Sequence, residues 1–299
     1  MPLPLESVPN VSDGRHPETI AALAAAFGER ARLLDVHTDP DHNRSVFTLV
    51  GSDVELVESL LAGIACARER IDLRAHAGVH PRVGALDICP LVPVVPGDME
   101  RAKAAALALA ARVGELGLPV FLYGELAPGR GPAFFRRGGP DELQRRLDAG
   151  ELRPDFGPGR LDPAAGCVLV GARRPLVAFN VNLRGTLAAA REIAAVVREL
   201  GGGFPGVRAL GLELPSAGLV QVSMNIEDWR AAPPHEVVAR VAAEAEARGA
   251  EVAGSELVGL IPAGAVVAAA GPALGLPVLD SSSVLELRLV ESGPASTGY

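Results

Sequence analysis

Most side chains that could carry acid–base chemistry in this sequence lie in two short polar segments. Residues 35–44 read DVHTDPDHNR and residues 74–82 read RAHAGVHPR, which together hold four of the six histidines. Polar residues of this kind often only cap backbone groups of a turn, and for any single side chain that role is the more frequent one. Their clustering favours a functional site, because binding groups concentrate in loops at strand ends.

His80 is the strongest candidate for proton transfer. An imidazole has an ordinary pKa of about 6.5, which suits a general base at neutral pH. His80 precedes Pro81, which restricts the backbone, and Arg82 follows as a possible anion partner. Asp87 lies close enough in sequence to orient the ring. No GxSxG motif occurs and no cysteine has a nucleophile context, which argues against acyl-enzyme chemistry.

Metal binding is a weaker hypothesis for the same segments. His37, Asp39, Asp41 and His42 are suitable ligand types for Zn or Mn, but their spacing matches no known closed site. The pair His76-x-x-x-His80 contains a glycine and lacks the glutamate of HExxH. Our prediction is that no metal is bound.

Two Gly/Pro-rich loops have the composition of ligand loops, although ordinary surface loops share it. Residues 129–137 contain three arginines that could meet carboxylates, and the second loop runs from Asp155 to Gly166. The sequence has no GxxxxGK[ST] motif and no GxGxxG motif that opens a helix, so the usual phosphate-binding signatures are missing.

The elements that must position these residues follow one order twice. Apolar periodicity predicts β-α-β-β-α-β over residues 5–95, with Asp53 capping the second helix, and again over residues 176–258. A helix at 99–116, a strand at 120–123 and a loop at 124–137 lie between them. This predicts an α+β fold of two ferredoxin-like subdomains, with a boundary near residues 173–176. Two sheets that face each other across a cleft would bury their second faces.

Length and charge exclude several functional classes. The 299 residues suit one large or two smaller domains, and 36 acidic against 28 basic residues give a net charge of −8. We therefore expect no nucleic-acid partner and no membrane partner. Residues 257–279 carry no charge, but three prolines would break a spanning helix; a strand end and a short core helix are the better interpretation.

The three cysteines, Cys66, Cys89 and Cys167, are odd in number and far apart. They fit reduced thiols better than a disulfide framework, and the N-terminus has no signal-peptide pattern. The sequence therefore predicts a soluble, cytoplasmic protein.

Eight phrases in collinear order resemble the glutamate formiminotransferase family. They are VPNVSDGR (8–15), LDVHTDPDHNRSVFTLVG (34–51), HAGVHPRVGALDICPLVPV (76–94), VFLYGE (120–125), RPDFGP (153–158), GARRPLVAFNVNL (171–183), LVQVSMN (219–225) and SELVGLIP (255–262). The resemblance covers nearly the whole chain. It implies two subdomains, residues 1–175 with the catalytic histidine and residues 176–299, whose sheets face each other across a ligand tunnel.

The resemblance also implies an activity and its residues. The family transfers the formimino group of N-formimino-L-glutamate, a product of histidine degradation, to tetrahydrofolate, its co-substrate, and forms homodimers. Its catalytic histidine falls on His80 within HPR. Its folate-contact segment falls on Gly157, Pro158, Gly159, Arg160, Leu161, Asp162, Pro163, Ala164, Ala165 and Gly166. The family's cyclodeaminase domain has no counterpart here, so we expect another protein to perform that step.

The substrate contacts are hypotheses. His37, Asp39, Arg44 and Arg82 are candidates for the formiminoglutamate, with the two arginines on its carboxylates. Arg130, Arg136 and Arg137 are candidates for the glutamate tail of the folate. Transfer of a formyl group between N-formylglutamate and 5-formyltetrahydrofolate is an alternative. A folate-binding or metal-binding protein without turnover is a third interpretation, which the complete motif around His80 disfavours.

Overall fold

The computed structural model describes residues 3–276, 279–285 and 287. The chain divides into two units. The first comprises Met1–Pro175 with Leu214–Gly218, and the second Leu176–Glu213 with Leu219–Tyr299.

The first unit begins with a β-α-β-β-α-β arrangement. Its elements are β1 (Leu5–Ser7), β2 (Asn10–Val11), α1 (Pro17–Phe27), β3 (Arg32–Asp39), β4 (Arg44–Gly51), α2 (Asp53–Arg70) and β5 (Leu86–Pro93). The short strands β1 and β2 both lie between β4 and β5 and pair antiparallel with each. With β3 paired to β4, the strand order is that of a ferredoxin-like sheet.

Further elements extend this sheet: α3 (Met99–Glu115), β6 (Val120–Gly124), α4 (Pro132–Arg136), α5 (Gly139–Asp148) and β7 (Val168–Ala172). Strand β7 inserts between β5 and β6 and is parallel to both. The prediction of a loop over residues 124–137 is wrong at its end, where α4 forms. Neither α5 nor β7 was predicted.

The added strands have two buried faces. Val168 and Val170 of β7 join the main core under α2 and α3, whereas Leu169 faces a second cluster. That cluster contains Phe135 of α4 and Leu143 of α5. Strand residues alternate between faces, so α4 and α5 cover the second face of the extension. They also lie beside the loops that carry the predicted site.

The second unit is a four-stranded ferredoxin-like sheet. It contains β8 (Val177–Arg184), α6 (Leu187–Val197), β9 (Val207–Leu214), β10 (Leu219–Ile226), α7 (Pro234–Ala247), β11 (Glu251–Val258) and α8 (Ala263–Ala273). The strand order is β11-β8-β10-β9, and β8 pairs antiparallel with β10 and β11. The predicted α+β fold with two such units is confirmed. No helix in the described part of the chain is both long and apolar enough to cross a membrane.

Helix α2 shows how local chemistry sets an element's start. Its N-cap is Ser52 rather than the predicted Asp53, since the Ser52 hydroxyl accepts from the Glu55 N–H while the Glu55 carboxylate accepts from the Ser52 N–H. This capping box satisfies two backbone donors that the helix leaves open. Asp53 instead pairs with Arg101 at 2.6 Å.

Helices α1 and α2 approach closely at Gly63. A Cβ added there would lie 2.0 Å from Cε1 of the fully buried Phe27 ring. Helix propensity favours alanine over glycine by about 1 kcal/mol, but overpacking a core costs about 1 to 3 kcal/mol. We therefore expect Gly63→Ala to lower the free energy of unfolding, measured by urea denaturation.

Gly97→Ala is the matched control, since nothing lies within 4 Å of its added Cβ. Its unfolding free energy should stay unchanged or rise slightly. A Gly63→Ala protein more stable than wild type would contradict this packing.

Candidate active site

A cavity of about 860 Å³ opens in the first unit. Three segments line it: the loop at residues 73–82, the end of α4 with the start of α5, and the loop at residues 160–166. Two of these segments were predicted from sequence as parts of a site. The α5 wall was not, although Pro140 in the first helical turn, followed by two acidic residues, is a helix-start signal.

Arg82 shapes the histidine loop from within. Its guanidinium donates to the backbone carbonyls of His76 at 3.0 Å, Gly78 at 3.2 Å and His80 at 3.0 Å. A Cβ at Gly78 would lie 2.4 Å from the His42 carbonyl oxygen, so only glycine fits this approach. The loop is therefore folded around one guanidinium, which holds the backbone from His76 to His80.

The hydrogen bond of His80 fixes its tautomer. Nδ1 lies 2.8 Å from the Pro81 carbonyl oxygen, and a carbonyl can only accept. Nδ1 therefore carries the proton, and the neutral ring keeps its lone pair on Nε2. This is the protonation pattern that a general base requires.

The surroundings of His80 favour the neutral ring. Burial lowers the pKa of His80 well below 6.5, and the positive charges of Arg44 and Arg136 lower it further. His42, whose ring centroid is 5.7 Å away, acts in the same direction, and the hydrogen bond to Pro81 opposes these effects in part. His80 is consequently unprotonated at neutral pH.

Asp87 is fully buried and holds the two arginines near His80. It accepts from Arg44 Nη1 at 2.9 Å, Arg136 Nη2 at 2.5 Å and the Val83 N–H at 2.8 Å. Burial raises the pKa of Asp87, but the charges of Arg136 and Arg44, together with the hydrogen bonds from the Val83 N–H and Arg44, lower it below its usual value. Among the described residues, the hydrogen-bond partners of Asp87 are Arg44, Arg136 and the Val83 N–H, and His80 is not one of them. Asp87 therefore acts on His80 indirectly, because it holds the two arginines in place.

Arg44 is also buried. Its Nε and Nη2 donate to Asn10 Oδ1 at 3.0 and 2.8 Å, while Nη1 contacts Asp87. Burial lowers the pKa of Arg44 to about 10, which keeps it charged at neutral pH. Arg44 and Arg82 are the two candidates for binding the substrate carboxylates. Both guanidinium groups donate hydrogen bonds to other groups of the protein. Only Arg82 lines the cavity.

Asp39 organises the turn between β3 and β4. Its Oδ1 accepts from the N–H groups of Asp41 and His42, both at 2.8 Å, and its Oδ2 lies 3.7 Å from His42 Nδ1. His37 lies in β3, half-buried, opposite Val46. Neither His37 nor Asp39 lines the cavity. Within the described residues, no group of three or more His, Cys, Asp or Glu side chains could hold a metal ion.

The predicted folate segment divides into two parts. Its first glycine, Gly157, has φ of +80° and lies outside the cavity lining. A Cβ there would lie 2.2 Å from the carbonyl oxygen of Leu118, in the turn after α3. The second part closes on itself, as Asp162 and Gly166 exchange backbone hydrogen bonds of 2.9 and 2.7 Å. Five of the ten residues line the cavity: Arg160, Leu161, Asp162, Pro163 and Gly166.

Contacts with neighbouring elements hold this second part in place. Gln144 Oε1 of α5 accepts from the Leu161 N–H at 3.0 Å. Gly166 has φ of +70°, and a Cβ there would lie 2.1 Å from the Val83 carbonyl oxygen. Gln144 was not predicted as a site residue. The sequence could have indicated it only through recognition of α5, the helix that carries it.

The arginines suggested for the folate tail separate in the structure. Arg136 lines the cavity and pairs with Asp87, Arg130 lies 3.7 Å from Asp155, and Arg137 is exposed outside the cavity lining. Arg160 is exposed at the cavity wall. Arg136 and Arg160 therefore line the cavity with Arg82 and Arg74. Of these four, Arg136 is paired with Asp87 and Arg74 with Asp72 at 2.6 Å.

The chain is similar to known proteins over most of its length. The chain is 40% identical over 255 residues to the formimidoyltransferase-cyclodeaminase of Sus scrofa, a match that covers 81% of this chain and 47% of that protein. It is 38% identical over 252 residues to the glutamate formimidoyltransferase of Streptococcus pyogenes serotype M1, covering 82% and 84%. The Thermoplasma acidophilum glutamate formimidoyltransferase is 38% identical over 254 residues, with the same coverage.

The chain thus spans about half the length of the cyclodeaminase-bearing relatives and most of the length of the others. Residues 4–173 match the formiminotransferase domain, N-terminal subdomain, and residues 178–272 match the formiminotransferase domain. On these matches, the chain belongs to the formiminotransferase family.

Proposed function

We propose that this protein transfers the formimino group of N-formimino-L-glutamate to tetrahydrofolate, giving 5-formiminotetrahydrofolate and glutamate. The observation that carries the proposal is His80, a neutral imidazole with its lone pair on Nε2, in the wall of a cavity. Relatives named glutamate formimidoyltransferase support the assignment of the transferred group. Histidine degradation is then the process that supplies the donor.

The chemistry needs a single proton carrier. Folate N5 attacks the formimino carbon, and His80 Nε2 takes the proton that N5 loses. The donor enters as an amidinium, so its C=N electron pair moves to the terminal nitrogen, and the tetrahedral carbon carries a hydrogen, the folate nitrogen, the glutamate nitrogen and a neutral terminal nitrogen. The lone pair of that terminal nitrogen re-forms the C=N bond as the glutamate nitrogen leaves. When the bond from the carbon to the glutamate nitrogen breaks, the imidazolium returns the proton to that nitrogen, so that glutamate leaves as a neutral amine.

The cavity suits anionic substrates. Arg74, Arg82, Arg136 and Arg160 line it, against two carboxylates, Asp141 and Asp162. Holding both substrates in one orientation can supply an effective molarity of about 10⁵ M or more. We assign tetrahydrofolate to the wall formed by residues 160–166, in the role of co-substrate, and the catalytic base to the first unit.

The proposal extends to the assembly and compartment of the protein. We propose a homodimer, as the family resemblance implies, and a cytoplasmic location. The three cysteines are free, and burial raises the pKa of the Cys89 and Cys167 thiols, which suits a reducing environment. Sedimentation velocity of the purified protein tests the dimer: a monomer at micromolar concentration would contradict it.

The activity is tested by incubating purified protein with tetrahydrofolate and either N-formimino-L-glutamate or N-formyl-L-glutamate. We expect release of glutamate and formation of 5-formiminotetrahydrofolate from the first donor. Turnover of the formyl donor alone would overturn the assignment of the transferred group, and turnover of neither would overturn the enzyme assignment.

His80→Ala removes the proposed base. General acid–base catalysis contributes about 10²- to 10⁴-fold, so kcat should fall by a factor in that range. Binding of 5-formyltetrahydrofolate, measured by calorimetry, should persist. His16→Ala is the matched control, since His16 is exposed and does not line the cavity. Near-normal turnover by His80→Ala would exclude His80 as the base.

Arg136→Met tests the charge that acts on His80. Because a nearby cation disfavours the imidazolium, its removal should raise the pKa of His80. The acid limb of the pH profile of kcat/KM should therefore move to higher pH. The exposed Arg137→Met is the control. An acid limb that stays in place, or moves to lower pH, would show that Arg136 does not tune the base.

A further inference from the structure

The turn between β3 and β4 contacts the histidine loop, although the turn itself does not line the cavity. It comprises residues 40–43, and its last residue, Asn43, is buried. Among the described residues other than glycine, Asn43 alone has a φ in the left-handed region, at +48°. Asparagine adopts this conformation more readily than most residues do. The turn can therefore carry a polar side chain at a point where the backbone would otherwise favour glycine.

The side-chain amide of Asn43 joins two segments of the first unit. Its Oδ1 accepts from the Gly14 N–H at 3.0 Å, and its Nδ2 donates to the Ala77 carbonyl at 3.0 Å. These partners fix the orientation of the amide, because a backbone N–H only donates and a carbonyl only accepts. The amide therefore connects the segment before α1 to the histidine loop, three residues before His80.

The backbone of the same turn adds two contacts to the histidine loop. The Asn43 carbonyl accepts from His76 Nε2 at 3.0 Å, and the Asp41 carbonyl accepts from the Val79 N–H at 3.2 Å. Val79 directly precedes His80. The turn therefore holds the histidine loop at residues 76, 77 and 79, up to the neighbour of the proposed base.

Two glycines let these segments approach the turn closely. A Cβ at Gly14 would lie 2.1 Å from the Asp39 carbonyl oxygen, and a Cβ at Gly78 would lie 2.9 Å from the Asn43 Cβ. Larger residues would push both segments away from the turn. The lack of a side chain at both positions thus keeps the amide of Asn43 within hydrogen-bond distance of its two partners.

We infer that Asn43 is a positioning residue for the proposed base: it holds the histidine loop so that His80 keeps its place in the cavity wall. The inference rests on the proposed function and concerns the first unit alone. Asn43 does not line the cavity, so it acts through His80 and not on the substrates. Arg82 holds three carbonyls within the loop, and Asn43 ties that loop to the turn between β3 and β4.

Two substitutions remove the amide donor and keep the backbone conformation. Asn43→Asp retains an acceptor for the Gly14 N–H but sets a carboxylate against the Ala77 carbonyl, and Asn43→Gly removes both side-chain hydrogen bonds. Aspartate and glycine both adopt a left-handed φ. Both variants also keep the backbone carbonyl that His76 contacts. The change that they share is the loss of the hydrogen bond to Ala77.

The experiment measures kcat, the calorimetric Kd of 5-formyltetrahydrofolate and the nitrogen-15 NMR signals of the His80 imidazole. Misplacement of a reacting group by about 1 Å can cost about 10²-fold in rate, so kcat of both variants should fall about tenfold or more. The His80 signals should shift. The Kd should stay within about twofold, because no residue of 160–166 is a hydrogen-bond partner of Asn43. Thr38→Ala, at an exposed position on β3 beside the turn, is the control and should change none of the three.

The same substitutions in the His80→Ala protein separate positioning from a general structural role. An effect that is transmitted through His80 disappears when His80 is absent. The residual rate of His80→Ala should therefore change by less than about twofold when Asn43 is also replaced.

Several results would overturn the inference and leave the proposed function intact. Variants that fold, checked by circular dichroism, and keep the wild-type kcat and His80 signals would do so. Loss of the same factor in kcat with and without His80 would show that Asn43 does not act through the base. Unfolding of both variants would show that Asn43 is needed for the fold itself. If wild type turns over neither donor, the proposed function fails, and the inference fails with it.

Discussion

The first unit depends on a single buried ion cluster. Asp87, without exposure to solvent, binds Arg44 from β4, Arg136 from α4 and the Val83 N–H after the histidine loop. Removing either type of partner would leave an unpaired buried charge, which proteins tolerate poorly. The cluster therefore connects the ferredoxin-like part of the sheet, the histidine loop and the added helices, and sets the electrostatic surroundings of His80.

This arrangement separates the charge of the cavity from the charge of the whole chain. The net charge of −8 belongs to the whole chain, while the cavity gathers four arginines against two aspartates. Burial and two nearby cations keep His80 neutral, and the Pro81 carbonyl keeps its proton on Nδ1. Under the proposed function, positive charge at the site would attract the anionic substrates and keep the proposed base unprotonated.

Local patterns predicted the second unit well and the added elements poorly. The order predicted over residues 176–258 matches β8, α6, β9, β10, α7 and β11, because turns limit each β-rich run. Glycines and prolines at the starts of α4 and α5 are typical of loops, so neither helix was predicted. Strand β7 has five residues, which is too short for a clear apolar pattern. The Arg44–Asp87 contact joins residues 43 positions apart, and no local pattern reveals such a pair. His80 was predicted as the base through a motif, whereas its tautomer follows from the contact with the Pro81 carbonyl oxygen, which no sequence pattern reveals.

The protonation state of His80 decides whether it can act as the base. Nitrogen-15 NMR of the imidazole at neutral pH measures it directly, with His80→Ala used to assign the signals. We predict a neutral ring protonated on Nδ1, with a pKa well below 6.5. An imidazolium at neutral pH, or a neutral ring protonated on Nε2, would contradict the assignment of His80 as the base.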